Sequence, residues 1–290
     1  MLTSYIHVAW SQVRLVADSA ARYGLHKRRN NFFANMNDIN LSKIQQETAV
    51  QEISYFDELS STNDEATRLA KEKATNVPHL ILAKNQTNGR GRGANQWWSS
   101  EGCLTFSLVV DVSELAADNL CKISLTCGLA ICQALERFAP MGDFGLKWPN
   151  DVYLEGRKIC GILIERPIED QVVIGVGINV NNRLAEAPEE VASIAVSLFD
   201  LIETPLDLTD VIIESLNQLE RRIAELATDN RSILDQWQAY DLLRLRNVRI
   251  NTYSQIIEGT CHGIDADGAL IVQSDTEEHR CIGGIVESFD

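Results

Sequence analysis

Two apolar runs, at residues 80–83 and 104–110, read as buried strands, and between them the chain carries Gln86-Thr87-Asn88-Gly89-Arg90-Gly91-Arg92-Gly93. Three glycines alternate with two arginines over five residues, and Trp97, Trp98, Ser99 and Ser100 follow closely. Glycine permits positive φ and close approach of the backbone to a ligand. Arginine offers a planar fork of donors suited to carboxylate and phosphate. The combination predicts an ordered loop that wraps an anion and lays Trp97 and Trp98 over an apolar ligand body. Disordered RNA-binding tails also use Arg-Gly repeats, but in long tracts; this one is single and sits between strand patterns.

The rest of the chain can supply a folded frame for such a loop. Its 290 residues suffice for one large domain plus a small one. An apolar content of 45% gives an ordinary core without metals or disulfides. The net charge of −15 argues against a general nucleic-acid binder, yet leaves room for a local basic pocket built from Arg90, Arg92 and Lys147. Seven cysteines make an odd count, and none stands in Cys-x-x-Cys spacing. They read as buried free thiols in a reducing compartment. No apolar run is long enough to span a bilayer, so a soluble, cytoplasmic protein is expected.

In chain order, residues 53–56 read as a strand. Residues 60–65 read as a helix start capped by Asn63, with acids in the first turn and a helix running to about residue 75. Residues 120–138 carry apolar positions at helical spacing and read as a core helix packed across a sheet. Residues 144–148 form a strand halted at Pro149-Asn150-Asp151. Residues 152–154 and 159–165, around a tip at 155–157, complete an antiparallel unit; Lys158 in that hairpin reads equally as solvated or functional. Residues 172–179 are a strand in which Gly175 and Gly177 mark close backbone approach. A dinucleotide fingerprint is excluded there, because the third glycine and the following helix are missing. Residues 182–197 read as loop with a short helix, and 208–226 and 231–241 as helices. After residue 243 the pattern changes to short strands at 246–251, 255–264, 269–273 and 280–283, the texture of a small barrel. No cysteine and no Ser–His pairing has a triad-like context.

The block Lys147-Trp148-Pro149-Asn150-Asp151 precedes Gly156-Arg157-Lys158 and Cys160-Gly161-Ile162-Leu163-Ile164-Glu165. Ser61-Thr62-Asn63 lies upstream, and Gly175-Val176-Gly177-Ile178-Asn179 downstream. Together with the Gly-Arg-Gly-Arg-Gly loop, this order of motifs resembles the biotin–protein ligases over roughly residues 50–290. The resemblance implies an α+β fold, with a mixed-sheet biotin/lipoate ligase-like catalytic domain at 39–242 and an SH3-like barrel at 243–290. It implies an ATP-dependent ligase that forms biotinyl-5′-AMP and transfers biotin to a lysine of a biotin carboxyl carrier domain, with ATP, biotin and Mg²⁺ required. Ser61, Thr62, Asn63, Gln86, Arg90, Gly91, Arg92 and Lys147 would contact biotin. Arg90, Arg92, Trp97, Trp98, Asn150, Asn179 and Ser197 would contact the adenylate. Arg92 and Lys147 would carry the chemistry, and no sequence motif fixes a Mg²⁺ ligand. Either a monomer or a homodimer is compatible.

Ser99-Ser100 departs from the Ser-Pro frequent in the family. Residues 1–37 set Arg14, Arg22, Lys27, Arg28 and Arg29 against a single acid, Asp18. The segment 1–38 is open to three readings: an extension, with Met36 as an alternative start; a targeting peptide; or the remnant of a DNA-binding domain. No pair of helices joined by a Gly-containing turn is evident, so no operator binding is expected. A lipoate–protein ligase, a biotin-responsive repressor and a non-catalytic biotin-binding module are the competing readings.

Overall fold

The computed structural model describes residues 38–228, 230–252 and 254–290; the readings placed on residues 1–37 lie outside them. Strands β1 (Glu52–Leu59), β2 (His79–Gln86), β3 (Cys103–Asp111), β4 (Phe144–Lys147), β5 (Asp151–Leu154), β6 (Arg157–Ile168) and β7 (Gln171–Asn179) form one seven-stranded sheet, in the order β1-β2-β3-β7-β6-β5-β4. Only β1 and β2 run parallel; every other neighbour is antiparallel. The sheet is therefore mixed, as the α+β reading requires.

Period-two alternation divides the sheet into two unlike faces. Leu80, Leu82, Phe106, Leu108, Ile162, Ile174, Val176 and Ile178 join one core with helices α4 (Ile123–Glu136), α7 (Leu208–Thr228) and α8 (Asn230–Ala239). The opposite face carries α2 (Thr62–Lys71), whose Ala66 and Ala70 pack on Ile81, Val109 and Val173. Beyond that apolar cluster the middle of this face is mostly small and polar, with Leu163 the exception. Cross-strand register aligns Ser107, Gly175 and Leu163 in one row, and Ala83, Thr105, Gly177 and Gly161 in the next. A helix can cover part of such a face, but rows of Gly, Ala, Ser and Thr leave depth for something else.

Shorter helices complete this unit: α1 (Leu41–Glu47), α3 (Ala117–Leu120), α5 (Glu189–Ala192) and α6 (Leu198–Ile202). Strands β8 (Asn247–Asn251), β9 (Ile256–Ile264), β10 (Leu270–Gln273), β11 (Glu278–Cys281) and β12 (Ile285–Phe289) form a second, antiparallel sheet in the order β11-β10-β9-β8-β12. The sequence reading found four strands there and missed β12, which is short and separated from β11 only by Ile282-Gly283-Gly284. The linker is stitched to the first sheet: Leu146 N–H donates to Tyr240 O at 2.7 Å, and Leu242 N–H donates to Leu146 O at 3.0 Å.

Two local expectations are corrected. The cap of α2 is Ser61, not Asn63: Ser61 is extended and its Oγ accepts from Asp64 N–H at 3.4 Å, which frees Asn63 to turn toward the sheet. The helix also stops at Lys71, short of residue 75, because Lys73 takes a positive φ of 52°. All seven cysteines are free thiols, with Cys121 exposed and the rest buried. A pairing not foreseen is that of Ser54 Oγ with His79 Nε2 at 2.9 Å, with Glu52 3.9 Å from the ring. Thr75 Oγ1 occupies the other ring nitrogen at 2.5 Å. This buried group sits where β2 begins, at the opposite end of the strand from the Arg-Gly loop.

Candidate active site

The Arg-Gly stretch is an ordered hairpin. Gly91 N–H donates to Asn95 O at 2.8 Å and Trp97 N–H donates to Gly89 O at 2.9 Å, with Gly93 at its tip at φ +65°. A side chain at Gly89 would come within 2.6 Å of Trp97 O, so the closure requires glycine there. The hairpin folds over the glycine rows and borders a solvent-open cleft. Ser61, Thr62, Asn63, Gln86, Arg90, Gly91, Arg92, Trp97, Lys147 and Asn150, all named from sequence, line it together. Trp98, Asn179 and Ser197 do not line it. Ser197 Oγ caps α6 by accepting from Asp200 N–H at 3.1 Å, and Asn179 Oδ1 accepts from Asn182 at 3.0 Å. A ligand would have to extend past the cleft to reach them.

One end of the cleft is a hydrogen-bonded array. Gln86 Oε1 accepts from Thr62 N–H at 2.8 Å, which fixes its amide oxygen toward the helix. Ser107 Oγ lies 2.8 Å from Thr62 Oγ1 and 2.6 Å from Asn63 Oδ1. Asn63 Nδ2 donates to Glu165 Oε2 at 2.9 Å. Gly175 is what admits Asn63, since a Cβ there would stand 1.9 Å from Asn63 Oδ1. Sequence reasoning missed Ser107 and Glu165. The signal was present in the alternation, which puts both on the face where the neighbouring strands carry glycine.

The other end is cationic. Arg92 donates to Gly284 O at 2.8 Å, and Lys147 Nζ donates to Val286 O at 3.1 Å; both acceptors lie in or next to β12. Lys147 also stands 5.3 Å from the Phe289 ring centre and 5.9 Å from that of Tyr153. Burial holds its pKa below the ordinary lysine value, with Asp151 pulling the other way. Lys158, left open from sequence, lines the cleft and pairs with Asp151 at 2.7 Å. Arg90 differs from these cations. Its Nη2 pairs with Glu165 and its Nε lies 2.8 Å from Asp64, so its charge is already answered by two carboxylates.

The turn that carries Lys147 is tied down on several sides. Trp148 Nε1 donates to Gly268 O at 3.1 Å, Ser124 donates to Pro149 O at 3.1 Å, and Asn150 Nδ2 donates to Ile162 O at 2.6 Å. Across the floor, Trp97 lies over Gly177, where a Cβ would be 2.3 Å from the indole. Among the described residues no cluster of three or more His, Cys, Asp or Glu could hold a metal ion, and no helix is long and apolar enough to cross a membrane. The arrangement is one for binding an acid: polar contacts at one end, cations at the other, and no nucleophile between them.

Comparison with known proteins agrees with this geometry. Residues 55–179 match the biotin/lipoate A/B protein ligase family, and residues 246–287 match the biotin protein ligase C-terminal domain. The bifunctional ligase/repressor of Bacillus subtilis is 32% identical, over 77% of this chain and 70% of its own length. The biotin–[acetyl-CoA-carboxylase] ligase of Mycobacterium tuberculosis is 33% identical, over 72% and 79%. A biotin protein ligase from Aquifex aeolicus, solved in complex with biotin and ATP, superposes with a TM-score of 0.72 at 28% identity, over 83% of this chain and 98% of that one. The chain belongs to the biotin/lipoate A/B protein ligase family and, within it, to the biotin protein ligase enzymes.

Proposed function

We propose that this ligase forms biotinyl-5′-AMP and transfers the biotinyl group to one lysine of a biotin carboxyl carrier domain. A biotin carboxylate oxygen attacks the α-phosphorus of ATP and pyrophosphate leaves. The lysine ε-amine then attacks the acyl carbon, AMP leaves, and the amine proton is lost to solvent. The observation that carries the reading is the polarity of the cleft. Thr62, Asn63 and Gln86 offer the mixed donors and acceptors that a ureido ring needs, with Ser107 buried behind them. Arg92, Lys147 and Lys158 stand at the far end, where two anions must be brought together.

In this reading Arg92 holds the carboxylate and α-phosphate, and Lys147 offsets the charge that grows there. Arg90 orders the loop rather than binding phosphate. Trp97 covers the adenylate. Mg²⁺ would come with ATP and would supply charge neutralisation at the phosphates; Asp151, the carboxylate in the cleft wall that pairs with Lys158, would be the residue to hold it, since such a cation is commonly held by one or two carboxylates plus phosphates. The activity is assigned to residues 39–242, with 243–290 supplying the carbonyls that hold Arg92 and Lys147.

The test is a mass shift. The protein, Mg²⁺-ATP and biotin are incubated with an apo biotin carrier domain, in parallel with lipoate and an apo lipoyl domain. One biotin added, and none when the acceptor lysine is replaced, supports the proposal. A shift with lipoate alone would replace it.

A further inference from the structure

Glu165 is an odd residue for its row. Its cross-strand neighbour is Val173, which in turn faces Val109, and both valines are fully buried under α2. A carboxylate beside that apolar row is retained at a cost unless it is paired. Here it is paired twice through one oxygen: Glu165 Oε2 accepts from Arg90 Nη2 and from Asn63 Nδ2. Those two donors belong to different parts of the site. Arg90 lies in the hairpin that closes the cleft, and Asn63 lies in the first turn of α2 at its polar end.

The double contact sets a direction. Because Glu165 only accepts, it dictates that Asn63 presents its Nδ2 to β6 and its Oδ1 to Ser107. Ser107 then donates to Asn63 and can accept from Thr62, 2.8 Å away. The array from Thr62 to Glu165 thus has one consistent polarity, ended by a charge. The same charge draws Arg90, and with it the hairpin, onto the sheet. Asp64 assists only on the Arg90 side, 2.8 Å from Nε.

We propose that Glu165 is a positioning residue that couples the polarity of the ureido end of the cleft to closure of the Arg-Gly hairpin. The inference rests on the biotin ligase reading above. It predicts unequal effects from removing its two acids. Glu165→Gln keeps the size and one acceptor but loses the charge and lets the Asn63 amide turn over. Its KM for biotin should rise ~10-fold, the equivalent of ~1.4 kcal/mol, with KM for ATP little changed. Asp64→Asn loosens the hairpin alone, so KM for biotin should hold while preformed adenylate escapes faster.

The experiment is steady-state adenylation with biotin and ATP varied separately, together with a chase of bound biotinyl-AMP. Wild type, Glu165→Gln, Asp64→Asn, Arg90→Gln and the double variant Arg90→Gln/Glu165→Gln are compared. A purely structural Glu165 would lower thermal stability and active fraction, and would leave both KM values alone. The coupling predicts the KM split and a double variant no worse than the poorer single one. Should Glu165→Gln fail to fold, Glu165→Asp, which keeps the charge but withdraws it by one methylene, carries the same split. A wild-type KM for biotin in either folded variant overturns the proposal while the ligase reading stands. A wild-type protein that makes no adenylate overturns both.

Discussion

A single methyl group added at Gly175 should dismantle the polar end of the cleft. Gly175→Ala would place a Cβ 1.9 Å from Asn63 Oδ1 and 2.6 Å from its Cγ, far inside contact distance. Strand β7 is central in the sheet and cannot retreat, so the Asn63 side chain must leave. Its departure breaks the bond from Ser107 at 2.6 Å and that to Glu165 at 2.9 Å. Each net hydrogen bond contributes about 1 kcal/mol, and a buried group left unsatisfied costs about 1–3 kcal/mol. Replacing a strand glycine returns roughly 0.5–1 kcal/mol, so the net loss should be about 2–4.5 kcal/mol. For a domain of this size that is a fall in Tm of about 4–18 °C. Biotin affinity should fall further than stability, by ~10–100-fold, because a ureido partner is lost and the array is left without direction. Thermal unfolding and titration calorimetry with biotin read the two effects. A variant with the Tm and biotin Kd of the wild type would refute the packing argument and remove Asn63 from the ligand end.

Three other outcomes follow from the same structure. Asp241 sits at the junction with the C-terminal sheet, its Oδ1 accepting from Leu243 N–H at 2.9 Å; burial pushes its pKa up to about 6, against the backbone N–H groups of Leu243 and Arg244. A raised folded pKa means stability is full below the unfolded value and is lost as pH rises to about 6. Asp241→Asn should therefore stabilise by about 3 kcal/mol at pH 7 and by little at pH 4; equal effects in denaturant titrations at both pH values would assign the gain to packing. Arg92→Gly should make adenylate and then lose it, so that mass mapping finds biotin on bystander lysines; failure of adenylation itself would move Arg92 into the first half-reaction. Lys147→Ala should slow adenylate formation by ~10²–10³ while binding preformed biotinyl-AMP nearly normally, and equal losses would make Lys147 a binding residue only.

The strands and long helices were legible in the sequence because burial imposes periodicity. Residues 104–110 and 172–179 had to be strands, and 208–226 had to be a helix with one apolar face. The loop and the Lys-Trp-Pro-Asn-Asp turn were legible because few structures use such residues. What escaped detection depends on neighbours distant in sequence. Asn63 and Ser61 are both good caps, and only Gly175, 112 positions downstream, decides that Asn63 turns inward. Ser107 and Glu165 are ordinary until register sets them beside Gly175 and Val173. Lys158 was ambiguous because a hairpin lysine has no periodic signature, and its place in the cleft follows from its pairing with Asp151.

Charge separates the roles of the four cleft cations. Arg90 meets Asp64 and Glu165, and Lys158 meets Asp151, so these two are held by carboxylates already in place. Among the described residues, Arg92 and Lys147 have no carboxylate within ion-pair distance; they meet backbone carbonyls of the C-terminal sheet instead. A carbonyl satisfies a donor without cancelling its charge. The two cations therefore keep their field for an incoming anion, inside a protein whose net charge of −15 would otherwise repel it. A guanidinium has five N–H donors and an ammonium three, so Arg92 and Lys147 can each take an anion while still holding Gly284 O and Val286 O. Weakening that grip need not disturb Arg90, which is anchored on the far side by its own two acids.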